Sequence, residues 1–68
     1  MNIIFSEKLK DLRIEKGLKQ EELAEKLNVT QRKVSYWETG KIEPDLLHLT
    51  KIADYFQVSV DYLLGREE

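Results

Sequence analysis

With 68 residues the chain has room for one core and not two, and a domain of that size buries only about 60% of the surface its unfolded form exposes, so its stability margin is small. It contains no cysteine, which excludes disulfides, thiolate metal sites and thiol nucleophiles, and leaves packing, with or without oligomerisation, as the source of folding free energy. Charged residues make up 35% and apolar ones 41%, for a formal net charge of -2, a balance that argues mildly against non-specific coating of nucleic acid.

The opening MNIIF is too short and too soon interrupted by charge for a signal peptide, and no apolar run approaches the ~18 residues of a membrane span, so cytoplasmic residence is expected. Phe5, Leu9, Leu12 and Lys16 have the spacing of a first helix with one apolar stripe; Ser6 is positioned to cap it and Gly17 to end it in a left-handed conformation. QEELAEKL, residues 20–27, predicts a second helix with Leu23, Ala24 and Leu27 on its inner face. Its acidic first turn and basic last turn suit the partial charges of a helix. In the following NVT, Asn28 suits a turn, Val29 supplies an inward anchor and Thr30 can cap a third helix from Gln31 to about Thr39.

Val34 and Trp37, three apart, share the inner side of that helix, leaving Gln31, Arg32, Ser35 and Tyr36 on or near the other. Gly40 ends it. Pro44 suits the first turn of a fourth helix, whose stripe is Leu46, Leu49, Ile52, Ala53 and Phe56. A fifth follows Val58, capped by Ser59, with Val60, Leu63 and Leu64 inward and Gly65 as its stop. No stretch sustains β alternation, so the expectation is an all-α fold of five short helices forming one domain over residues 1–68.

Residues 18–65 closely resemble the Cro and phage-repressor type of helix-turn-helix domain, and the resemblance extends back through LKDLRIEKG. It rests on several features in order: Gln-x-x-Leu-Ala at 20–24, Val29, Val34-Ser35-x-Trp37-Glu38-x-Gly40, Pro44, and Val58-Ser59-Val60-Asp61-Tyr62-Leu63-Leu64. The resemblance implies a compact, lambda-repressor-like domain with its helix-turn-helix at about 20–39. The third helix would enter the major groove of double-stranded DNA, with the second lying across the backbone.

Carried over position by position, the resemblance makes Gln31, Arg32, Ser35 and Tyr36 the base-contacting candidates. Arg32 matches guanine O6 and N7, and Gln31 adenine N6 and N7. The Tyr36 ring can pack on a thymine methyl or its hydroxyl reach a phosphate; family members with a smaller or amide side chain there give no guide. Gln20 takes the family position that fixes the domain to phosphate, and Lys33, Thr39 and Lys41 are backbone candidates on the far side of the reading helix. Arg13 and Lys19 could add charge at the edge of that face. Lys19 stands where relatives often carry a serine or threonine cap. Leu23, Ala24, Val29, Val34 and Trp37 are structural, Trp37 positioning the helix and not stacking on bases, and Glu38 is expected in a local salt bridge or at the start of a neighbouring segment.

The charge distribution agrees with this placement, because the chain carries nine cations and seven anions up to Lys41 but two cations and six anions beyond it. Catalysis finds no support. His48 is the sole histidine and has no cysteine to join it at a metal. Glu21, Glu22 and Glu25 sit on a short solvent-facing helix, and there is no glycine-rich phosphate loop or nucleophile elbow. The expected function is a sequence-specific transcriptional regulator, a repressor by preference, that needs no cofactor and binds a palindromic operator as a homodimer. Its dimer contacts would come from Tyr62, Leu63 and Leu64 or from Ile4 and Phe5. The alternatives are a protein-interaction or antitoxin module, and the DNA-binding fragment of a longer, ligand-sensing repressor.

Overall fold

Phe5 and Leu9, four apart on one helical face, are 3% and 0% exposed, and they draw the first helix back to the very start of the chain. In the computed structural model, which describes residues 3–66, α1 spans Ile3–Glu15. Ser6 therefore lies inside the helix and is buried; the expected cap is not one. The reason is tertiary. Burying Phe5 requires the turn before Ser6 to be helical, and Ile4 packs against Gly65 from the other end of the chain. The single domain expected over residues 1–68 extends at both ends beyond the described residues.

The next two helices follow their local signals. α2 spans Gln20–Leu27 and buries Leu23, Ala24 and Leu27; α3 spans Gln31–Thr39 and buries Val34 and Trp37. Thr30 caps α3, its side chain accepting the Lys33 backbone N–H at 3.1 Å. Asn28, between them, is left-handed with φ 59°, and the backbone bonds Val29 N–H to Ala24 and Asn28 N–H to Glu25 close α2 in the pattern that satisfies a helix's last carbonyls. Lys51 donates to the Leu27 carbonyl at 3.1 Å, a cation where the helix end is negative.

α4 spans Leu46–Phe56, two residues later than Pro44 suggests. Asp45 is the cap, its carboxylate accepting the His48 backbone N–H at 2.8 Å, and Pro44 precedes it. An aspartate side chain satisfies one of the open donors of the first turn, which proline cannot do. Leu49, Ile52, Ala53 and Phe56 are buried as the spacing requires, but Leu46 is 82% exposed: the apolar stripe runs past the end of the core. α5 spans Val60–Leu63, with Ser59 accepting from Tyr62 N–H at 2.9 Å. Among the described residues the molecule is all-α.

These helices converge on Trp37, which is 1% exposed and belongs to one continuous core with Leu9, Leu23, Leu27, Val34, Ile52 and Leu63. Val29, half-buried, packs against it. α3 packs on both α1 and α2, and the Trp37 ring lies 5.6 Å from that of His48 on α4. The third helix is thus fixed along its inner side by three other elements.

Candidate nucleic-acid interface

At ~100° per residue, Gln31, Ser35, Thr39, Arg32 and Tyr36 fall within an arc of about 140° centred opposite Val34 and Trp37. Gln31, Arg32 and Thr39 are exposed, Ser35 and Tyr36 half-buried. The base-contacting candidates therefore share one outward face of a helix whose inward face is locked. Lys33 lies outside the arc, beyond Tyr36; the hydrogen bonds to Asp45 from the His48 backbone and side chain hold the Asp45 carboxyl below the usual carboxylate range, with a smaller contribution from the Lys33 charge.

Lys41, exposed just past Gly40, places its ammonium 5.4 Å from the centre of the Tyr36 ring, within the range of a cation–π contact. Gly40 makes this possible: its φ of 78° turns the chain back, and the Lys41 backbone N–H reaches the Tyr36 carbonyl at 2.9 Å. Thr39 donates its hydroxyl to the Ser35 carbonyl at 2.9 Å, which leaves the oxygen's lone pairs facing solvent.

At the other end of the face, Gln31 Nε2 donates to Gln20 Oε1 at 2.6 Å, joining the first residues of α3 and α2. Gln20 Nε2 in turn donates to Glu38 Oε1 at 3.1 Å. Glu38 is paired with Arg13 through both oxygens, at 2.7 Å from Nε and 3.1 Å from Nη2, and Arg13 Nη1 donates to the Leu18 carbonyl at 2.8 Å. The side chains of Arg13 and Glu38 are only 13% and 2% exposed. Arg13, a phosphate candidate, directs three of its N–H groups into the fold, and Glu38 makes a pair 25 residues distant where a local one was expected. Sequence reasoning missed both this pair and the Gln20–Gln31 bond. The signal available was a glutamine at the first position of each helix.

Lys19 is exposed at the N-cap of α2. An ammonium cannot accept a backbone bond, and Glu22 compensates from three residues on, its carboxylate accepting the Lys19 backbone N–H at 2.7 Å. The Lys19 side chain is thereby left to solvent at the same helix end as Gln20. Among the described residues, no group of three or more His, Asp or Glu side chains could hold a metal ion, and no helix is long and apolar enough to cross a membrane.

An amide, a guanidinium, hydroxyls and a phenol on one fixed helix face, flanked by lysines, define a helix-turn-helix with a polar outward surface. The helix-turn-helix family model matches residues 9–63, and the chain belongs to the Cro and phage-repressor type of that family, whose members are DNA-binding transcription regulators. It is 47% identical over 64 residues to the HTH-type transcriptional activator BcrR of Enterococcus faecalis, covering 94% of this chain and 31% of that protein. A transcriptional regulator from Listeria innocua superposes with a TM-score of 0.86 at 42% identity, over 94% of this chain and 60% of that one. The P22 c2 repressor, in a crystal structure with a synthetic operator, gives 0.86 at 27% identity, over 93% of this chain and 96% of that one. The chain thus spans about a third of that activator and three fifths of the Listeria regulator.

Proposed function

We propose that this chain binds DNA sequence-specifically as a transcriptional regulator, a repressor by preference, acting in the cytoplasm as a homodimer on a palindromic operator. The observation that carries the reading is the orientation of α3: Trp37, 1% exposed, faces the core, and Gln31, Arg32, Ser35 and Tyr36 face away from it together. A major groove accepts one helix presented in this way. The operator bound by the P22 c2 repressor supports the same partner class.

In this reading Gln31, Arg32, Ser35 and Tyr36 meet base edges, while Gln20, Lys19, Lys33, Thr39 and Lys41 hold the phosphate backbone. Gln20 can serve both neighbours, because one Nε2 hydrogen goes to Glu38 and the second is open to a phosphate. We assign Arg13 to the fold. The two dimer surfaces expected from the sequence become one, since Ile4 packs against Gly65 at the end of α5. Phe5 and Leu63 are sealed in the core at 3% and 0% exposure, which leaves Ile4, Tyr62 and Leu64 for the partner copy.

Selection of bound duplexes from a random DNA pool tests the reading. The expected outcome is an enriched two-fold sequence with half-sites about one helical turn apart, bound more weakly as salt rises. Absence of any enriched sequence would reject it. It would then favour the second reading, a protein-interaction module, for which the adjacent exposed Leu46 and Leu47, 82% and 66% accessible, are the supporting observation.

A further inference from the structure

The polar chain that runs inward from the reading surface ends on a group whose hydrogen-bonding sense is fixed. Glu38, ion-paired with Arg13 and 2% exposed, can only accept. Gln20 therefore has to turn its NH2 toward Glu38, as it does at 3.1 Å. Its carbonyl oxygen is then left facing α3, where it accepts from Gln31 Nε2 at 2.6 Å. By the same logic Gln31 has one amide hydrogen and its carbonyl oxygen left to present outward. A donor beside an acceptor complements the adenine edge, N7 with N6–H; guanine offers two acceptors, O6 and N7.

We propose that Glu38 is a positioning residue for base readout: through Gln20 it sets which way round the Gln31 amide stands, and so makes Gln31 prefer adenine to guanine. The inference rests on the reading of α3 as the base-reading helix. Turning the Gln20 and Gln31 amides over together would keep their mutual bond, but it would face the Gln20 oxygen against the Glu38 carboxylate. Turning Gln31 alone keeps the Gln20–Glu38 bond but loses the Gln20–Gln31 bond and sets two oxygens face to face; only turning Gln20 alone loses both. Either state that reverses Gln31 thus forfeits one hydrogen bond, which at the usual net value disfavours it by roughly fivefold before the repulsion of the facing oxygens is added, a bias toward one orientation at a site that a free glutamine would read ambiguously.

The experiment uses the whole chain and the duplex enriched by selection. The Gln31→Ala variant first locates the base pair at which preference is lost. Affinities are then measured on two duplexes that differ only by adenine or guanine there. The wild type should favour adenine. Gln20→Leu, which leaves the Arg13–Glu38 pair untouched, should cut the adenine-to-guanine affinity ratio about fivefold or more. Loss of its phosphate contact weakens both duplexes alike and leaves the ratio alone.

Glu38→Gln should go further. Arg13 keeps the oxygen of the new amide, whose NH2 then faces Gln20, so both glutamines turn over and Gln31 offers two N–H donors, moving preference toward guanine. In the Gln20→Leu background the same substitution should leave the ratio where Gln20→Leu alone puts it. A purely structural Glu38 would alter stability or overall affinity and not this ratio. An unchanged ratio in Gln20→Leu or in Glu38→Gln overturns the proposal, as does a wild-type preference for guanine, and the Gln20→Leu arm can still overturn it if Glu38→Gln does not fold. If Gln31→Ala loses preference at no position, base reading by Gln31 is itself rejected, and the proposal with it.

Discussion

Asp45 is the residue at which solution conditions reach the fold most directly. The hydrogen bond from the His48 backbone N–H, followed by that with the His48 ring, holds its carboxyl below the usual carboxylate range. A folded-state value lower than the unfolded one means that the cap contributes fully above about pH 4 and is lost as pH falls through the lower, folded value. The Asp45→Asn variant retains a cap oxygen but does not titrate. Urea midpoints taken from pH 6 to pH 2 should therefore fall more for the wild type than for Asp45→Asn. Parallel declines would show that the cap does not carry the acid sensitivity. The same residue shows where local sequence logic misplaces a boundary: Pro44 and Asp45 are both good helix starters, and the carboxylate wins because it alone satisfies a donor.

At the scale of the element, the five described helices share one device at their ends, a left-handed residue after the last turn: Gly17, Asn28, Gly40, Gln57 and Gly65. Gln57 is strained there, with φ 59°, since a β-carbon is disfavoured in that conformation by ~1–2 kcal/mol. Glycine removes this strain but loses more freedom on folding, by ~0.5–1 kcal/mol. Gln57→Gly should therefore raise stability by about 0.5–1 kcal/mol, or roughly 2–8 °C in Tm, with no effect on DNA affinity because Gln57 lies on no proposed contact surface. A lowered Tm would mean that the Gln57 side chain contributes more than its strain costs. Elements whose limits are set locally were legible in the sequence. α2 and α3 begin and end where QEELAEKL, Thr30 and Gly40 indicate, because caps and turn residues act within a few positions. α1 was not, since its first turn is stabilised by Phe5 in the core and by Ile4 against Gly65, a partner near the other end of the chain. The outward face of α3 followed from the inward placement of Val34 and Trp37. The Arg13–Glu38 pair could not follow from spacing: its partners are 25 residues apart, and only the packing of α1 on α3 brings them together.

For the whole molecule, the division of labour is between a sealed interior and one polar face. A core of a dozen apolar side chains among the described residues gives a chain of this size only a narrow stability margin, yet it holds α3 along three neighbours. In the proposed reading, the rigidity of that helix lets a few side chains act as a unit, and the lysines beside it supply attraction that does not depend on sequence. The measurement that tests this most directly compares Arg32→Ala and Lys41→Ala on the selected duplex and on a scrambled one. Arg32→Ala should reduce the preference for the selected duplex by about 1–3 kcal/mol, whereas Lys41→Ala should weaken both duplexes alike and lower the salt slope by about one. An undiminished preference in Arg32→Ala would contradict the account.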